Sequence, residues 1–277
     1  MSRKRHTAAD EPHFLVRTLA ADFADGAVIA PHAHPWGQLI YATTGVVTVW
    51  TEHGTWVVPP HWAIWAPSGV EHGLRFTGAA SLRTLYLRPD ISCLAPRSTV
   101  ITVSPLLREL ILRAVDERML DERNRTHLAL VHLIVHECSP TAMPPLDLRL
   151  PQSARLRRVA DHLASRSSDR ASHARLARRF GIGVRTLERG FVAETGLSLG
   201  QWRRQARFME ALRQLGAGAS VKRAAIEAGY RTPSAFVAAF SSSFKTTPGR
   251  YFRHGRQSDV RSRRGDDDRA ERKNPDL

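Results

Sequence analysis

Two stretches of the chain repeat one pattern, and that repeat constrains the fold more than any other feature. Ala177 precedes Gly181 by four residues, and 48 residues later Ala225 precedes Gly229 by four. Leu187 and Phe191 are four apart, as are Phe236 and Phe240. A helix stopped by a left-handed glycine, followed by a second helix with inward apolar residues one turn apart, makes a bihelical unit. Ser172 is placed to cap the first helix of one unit. Thr232 followed by Pro233 is an N-cap with proline at the first helical position of the other. Between the units, Ser198 with Gln201 three residues on forms a capping-box pattern. It opens a long helix with Trp202, Ala206, Met209 and Leu212 on one side, running out at Gly216 and Gly218. Ser153 starts an earlier helix whose inner face is Leu156, Val159, Ala160 and Leu163.

Charge falls on the same block. Residues 153–253 carry 20 Lys+Arg against 6 Asp+Glu, whereas 1–152 carry 14 against 14 and the tail 254–277 carries 7 against 6. Nearly the whole formal net charge of +15 therefore sits on about a hundred residues. A positive field confined to one domain is the footprint of a phosphate-backbone partner. The second helix of each unit is of a size to enter a major groove. A rigid connecting helix can hold the pair about one duplex turn apart, roughly 34 Å. Double-stranded DNA is the expected partner.

The block resembles the AraC/XylS family of transcription regulators from about Leu156 to Phe252. The resemblance is carried by Leu176-Ala177, Gly181, Arg185-Thr186-Leu187, Arg189, Phe191, Gly196, Ala225, Gly229-Tyr230, Phe236, Phe240 and Phe244. The closing Thr247-Pro248-Gly249-Arg250-Tyr251 also resembles the family's end signature. It implies a seven-helix, double helix-turn-helix domain. In the first recognition helix Leu187 and Phe191 point inward. Arg185, Glu188 and Arg189 lie opposite, where the family places its base contacts; Arg suits guanine and Glu suits cytosine N4. The matching outer positions of the second helix are Pro233, Ser234, Val237 and Ala238, which offer little beyond thymine-methyl contact. The first unit is expected to carry most of the specificity. Arg203, Arg204, Arg207, Lys222, Arg223, Lys245 and Arg250 are the candidate phosphate contacts.

The N-terminal half reads differently. From Phe14 to about Pro89, Val, Trp, Tyr and Thr alternate between Gly and Pro punctuation, which predicts short strands in a barrel or sandwich. From Ser104 to Glu137 the period becomes helical. Leu106, Leu107, Leu110, Ile111 and Ala114 form one stripe and Leu130, Val131, Ile134 and Val135 another. These helices are expected to cover a barrel face or to form a homodimer seam over 104–137. Residues 1–12 read as a disordered terminus, 13–138 as the sensor barrel with its helices, and 139–152 as a Pro-rich linker. Residues 153–253 are the DNA-binding domain and 254–277 a disordered charged tail. The fold class is α+β in two domains.

Within the barrel, His32 and His34 precede Gln38, and Pro67-Ser68-Gly69 leads to His72. His32, His34 and Gln38 are an even number apart, so on a strand they share a face. Three imidazoles and an amide oxygen suit a divalent transition metal such as Zn, Ni, Fe or Mn. The two segments resemble the paired cupin motifs. Gln38 stands in the place of the usual Glu, His61 in the place of an early Gly, and Phe76 in the place of Asn. The resemblance implies a double-stranded β-helix barrel from about Phe14 to Arg88. It also implies a sensor of a metal or of an organic effector. Gln for Glu removes a negative charge and weakens the site. Trp36, Tyr41, Trp50, Trp56, Trp62 and Trp65 are expected mainly in the core, with any inward-facing rings lining a small-ligand cavity.

His132 and His136 stand one helical turn apart near Cys138, and a solvated or interface face is the simpler reading. Cys93 and Cys138 make no disulfide framework, which fits a reducing cytoplasm. No signal peptide or stretch long enough to span a membrane is visible. The chain therefore reads as a transcription regulator and not an enzyme. The alternative is a metal-dependent cupin enzyme fused to a DNA-binding domain, with Glu71 its one evident acid/base.

Overall fold

A computed structural model of the chain describes residues 13–91, 95–138 and 147–252. The expected disordered ends, Cys93 and residues 139–146 of the expected linker lie outside the described residues. Among those described, no helix is long and apolar enough to cross a membrane.

The N-terminal domain is built on two long antiparallel strands, β3 (Gly37–Trp50) and β6 (His72–Leu87). Their register breaks between Ala42 and Thr44 and again between Thr44 and Val46. Such irregularities bend strands, and each long strand changes its outer neighbour across the bend. The first half of β3 pairs with β5 (Trp62–Ala66) and the second with β4 (Gly54–Val58). The first half of β6 pairs with β2 (Val28–His32) and the second with β1 (Phe14–Phe23). Three strands lie beyond the Arg88 limit read from sequence: β7 (Thr99–Thr102), β8 (Met119–Asp121) and β9 (Asp147–Arg149). They border β5, β1 and β4. β9 corrects the linker assignment. Residues 147–149 form a strand, and Leu148 and Leu150 are buried beside it.

Two helices cover one face of this sheet. Helix α1 (Pro105–Glu117) is capped by Ser104, and α2 (Arg125–Glu137) by Asn124. Leu107, Ile111, Ala114, Leu130, Val131 and Ile134 pack there against Leu15, Leu39, Tyr41, Leu85 and Ile101. Leu106, assigned to the inner stripe, is instead 52% exposed.

The C-terminal domain contains α3 (Ala154–Ser165), α4 (His173–Phe180), α5 (Val184–Thr195), α6 (Leu199–Gly216), α7 (Val221–Glu227) and α8 (Pro233–Phe244). Residues 248–252 form a further helical turn. The caps follow the sequence: Ser172 Oγ accepts from Arg175 N, Gly181 is left-handed, and Ser198 and Gln201 close a reciprocal box. Helices α4–α5 and α7–α8 are the two bihelical units, and α6 joins them.

Helix α6 is buried on more sides than its sequence stripe implies, because the sheet covers it as well and Phe208 packs against Phe236, Phe240 and Phe244 of α8. Phe208, Ala211 and Leu215 are buried along with Trp202, Ala206, Met209 and Leu212. One apolar cluster runs from Val46, Val57 and Leu74 in the sheet to Phe191, Trp202 and Phe240 in the helices. Polar contacts stitch the seam. Trp202 Nε1 donates to the Arg149 carbonyl at 2.8 Å, Gln205 to the Asp147 carbonyl, and the Tyr251 hydroxyl to the Pro60 carbonyl. At Gly78, φ is +73°, and a Cβ there would sit 2.2 Å from the carbonyl oxygen of Gly216. Backbone meets backbone at that point, which only glycine allows.

Candidate metal centre and nucleic-acid interface

Strand pairing brings the histidines together. β2 runs beside β6 so that His32 is registered against His72. His34 follows on the connection into β3, which carries Gln38. Ligand atoms of His32, His34 and His72 all lie within 4.8 Å of one another. His72 and Gln38 are buried, while His32 and His34 are half-exposed, so the cluster opens to the surface on one side.

The hydrogen bonds fix where the protons are. His32 Nδ1 faces the Ala30 carbonyl at 2.9 Å, His34 Nδ1 the Trp36 carbonyl at 2.5 Å, and His72 Nδ1 the Val70 carbonyl at 2.8 Å. A carbonyl oxygen only accepts, so each Nδ1 carries the proton and each Nε2 presents a lone pair. Gln38 is locked as well. Its Nε2 donates to Thr84 Oγ1 at 3.0 Å, and that hydroxyl donates to the Leu39 carbonyl at 2.9 Å. Gln38 Oε1 is thereby aimed at His34 Nε2 (3.0 Å) and His72 Nε2 (2.9 Å). The Gln38 amide thus bridges the two rings. At His72 burial, helped by the neighbouring His32 and His34, pushes the pKa down to about 4 and keeps the ring neutral near pH 7. Ligand atoms of the three rings converge within 4.8 Å, so the residues present fit a metal. The carbonyl partners and Thr84 are the supporting shell that holds such ligands in orientation. Thr84 carried no signal in the sequence, lying 46 residues from Gln38.

Among the described residues, the other metal-type side chains do not converge. Cys138 is buried, and burial pushes its thiol up to about 12, while His132 and His136 are exposed on α2. Glu71 is exposed beside the buried His72.

On α5, Leu187 and Phe191 are fully buried and Arg185, Glu188 and Arg189 are exposed, as their spacing predicts. Glu188 takes a 2.7 Å contact from His173 Nδ1 at the start of α4. Val184 and Val192 are exposed one turn either side of Glu188, 39% and 52%, and were not anticipated. Two uncharged residues on an outer helix face attract no notice in a sequence. On α8, Phe236 and Phe240 are buried, Ser234 and Ala238 exposed, and Pro233 and Val237 half-buried. Lys222, Arg204, Arg250 and Lys245 are exposed, and Arg223 is exposed in a 2.7 Å pair with Glu227.

Arg203 and Arg207 are a correction. Both are half-buried, and their guanidinium groups turn inward to backbone carbonyls of the α3–α4 loop. The carbonyls at 167, 169 and 171 have no helical partner, and arginine supplies enough donors to satisfy them. Both side chains are turned toward the protein's own carbonyls rather than outward like Arg204.

A basic pair of bihelical units joined to a ligand-holding sheet domain defines a DNA-binding transcription regulator with a sensor domain. The sequence matches the AraC-like ligand binding domain over residues 13–181 and a helix-turn-helix domain over residues 176–254. It is 32% identical over 220 residues to the HTH-type transcriptional regulator NimR of Escherichia coli, covering 79% of this chain and 81% of that one. With the HTH-type transcriptional regulator RipA of Corynebacterium glutamicum it shares 31% identity over 102 residues, covering 37% of this chain and 31% of that one. Among solved structures, ToxT from Vibrio cholerae bound to an unsaturated fatty acid covers 86% of this chain and 95% of its own, at 9% identity and a TM-score of 0.36. The DNA-binding domain of AdpA in complex with a target DNA covers 38% of this chain and 96% of its own, at 27% identity and a TM-score of 0.36. The chain belongs to the AraC family of transcription regulators.

Proposed function

We propose that the sheet domain senses a divalent transition metal through His32, His34, His72 and Gln38, and that occupancy changes how the helical domain engages its operator. The observation supporting this reading is the convergence of ligand atoms from His32, His34 and His72 within 4.8 Å of one another, with the Gln38 amide bridging two of the rings. The metal supplies Lewis acidity that the four ligands satisfy. The chain's own part is to hold the rings by their Nδ1 protons and the amide by Thr84. Regulation requires only that the metal bind two states with different affinity. Glu71, the one acid/base candidate for an enzyme, is exposed, and we read the domain as a sensor without catalysis. Arg185, Glu188 and Arg189 are assigned to bases, Ser234 to the second groove, and Lys222, Arg223 and Lys245 to phosphates. A regulator works where its DNA is, so we place it in the cytoplasm.

Zinc at a hundredfold excess over its Kd is expected to raise unfolding stability by about 2.7 kcal/mol. His34→Ala should remove the effect, and Gln38→Glu should tighten binding by restoring a negative charge. Metal analysis, thermal unfolding with Zn, Ni or Mn, and footprinting with and without the ion are the measurements. A purified chain with no ion, not stabilised by any of the three, would end the metal reading while leaving the organic-effector one.

The outer faces of α1 and α2 expose Leu106 and Leu133, 52% and 47%. We assign this face to a second copy of the chain. Leu133→Glu should then shift sedimentation from dimer to monomer, and a native chain that sediments as a monomer at the same concentration refutes the assignment.

A further inference from the structure

The loop between α3 and α4 meets α3, α6 and the turn between α7 and α8. The loop runs into Ser172, the N-cap of α4, and so belongs to the first unit. Asp169 stiffens it from within: one carboxylate oxygen accepts from Ala171 N at 2.6 Å, and the other meets His162 Nε2 of α3 at 2.8 Å. From α6, Arg203 Nη1 donates to the Ala171 carbonyl at 2.7 Å and its Nη2 to the Asp169 carbonyl. One turn on, Arg207 Nε donates to the Ser167 carbonyl at 2.9 Å and its Nη2 to the Asp169 carbonyl at 3.0 Å. The turn of the second unit closes the junction. A Cβ on Gly229 would lie 2.7 Å from Ser168 Cα and 3.0 Å from the Ser167 carbonyl oxygen. One loop is thus held by four arginine hydrogen bonds on one side and by backbone-to-backbone packing of the second unit on another.

From this junction we infer that Arg203 and Arg207 are positioning residues that fix the separation and rotational phase of the two recognition helices. Helix α6 sets a distance along its axis and packs Trp202 on Phe191 of the first unit and Phe208 on Phe236 and Phe240 of the second. The arginine fork, planar and rigid, adds directional hydrogen bonds at the junction of the two units, which a lysine would not supply. The protein consequently reads its two half-elements at one spacing, because inserting a single base pair moves the second by about 3.4 Å and turns it by about 35°.

The test uses the full chain and an operator selected in vitro from random duplex, with one or two base pairs then added or removed between half-elements. The native protein is expected to lose on the order of tenfold affinity per base pair of misplacement, the size of a lost specific contact. Arg203→Gln/Arg207→Gln should bind the native spacing on the order of tenfold more weakly, yet vary only about threefold across the series. Its affinity for a single half-element should match the native protein's. Its log–log salt slope should also be unchanged, whereas loss of two phosphate contacts would flatten the slope by about 1.8. Should the double variant fail to fold, Arg203→Lys and Arg207→Lys keep the charge and carry the same expectation over one base pair. A folded variant whose spacing profile superimposes on the native one overturns the inference. So does a flattened slope, or a native protein indifferent to spacing.

Discussion

Trp202→Ala is expected to lower stability by about 3–5 kcal/mol, the usual cost of emptying a buried tryptophan site. The side chain is fully buried at the centre of the molecule. Its ring stands edge-on to Phe191 of the first recognition helix, with centroids 5.7 Å apart, and its Nε1 donates to the Arg149 carbonyl beside β9. Truncation therefore opens a void between the first bihelical unit and the sheet, and removes a hydrogen bond that ties the two domains. In a chain of this size the loss corresponds to a fall in Tm of very roughly 6–20 °C. Trp202→Phe keeps most of the volume and loses the donor, so a cost near 1 kcal/mol is expected. Thermal unfolding followed by circular dichroism separates the two. If Trp202→Ala cost no more than Trp202→Phe, the packing account of this residue would be wrong.

Gly78→Ala is the second large effect, at about 2–5 kcal/mol. Left-handed backbone costs a residue with a Cβ roughly 1–2 kcal/mol. Forcing a methyl into a filled space costs typically 1–3 kcal/mol more. The space here is filled by the Gly216 carbonyl, which cannot rotate away as a side chain would. Gly26 is the natural control. Its φ is +78°, nearly the same, but nothing lies within 4 Å of the Cβ position. Gly26→Ala should therefore show the strain alone. The difference between the two variants measures the contact between domains. Calorimetry should show one transition for the native chain and two for Gly78→Ala. Equal costs for the two variants would mean that the seam at Gly78 is soft.

What the sequence made legible was local. Ser172, Gly181, Ser198 and Thr232 announce helix ends because caps act over three or four residues. The facing of Arg185 and Glu188 against Leu187 and Phe191 follows from helical period alone. The histidine cluster was readable from its motif spacing but not from strand alternation: His32 ends β2, His34 lies on the connection, Gln38 stands on β3, and the pairing of β2 with β6 sets His72 against His32. What was illegible depends on surfaces brought from a distance. Arg203 looks like its exposed neighbour Arg204, and only the carbonyls 32 and 34 residues away turn it inward. Residues 147–149 looked like linker because prolines surround them, yet β4 had an open edge to offer. Phe208 gave no hint of burial on the stripe defined by Trp202 and Met209, since that stripe describes one covered side and α6 has two.

The seam also bears on how such proteins diversify. A sensor that shares its hydrophobic interior with the reader cannot be exchanged like a bead on a string. A chimaera joining this sheet domain to a relative's helices would set Val46, Thr77 and Gly78 against a surface not shaped for them. Grafting would succeed only if the residues flanking Gly216 and the Pro60–Tyr251 clasp travelled with the graft. Inheritance of effector preference and operator preference is tied together by packing, and neither half is free to drift alone.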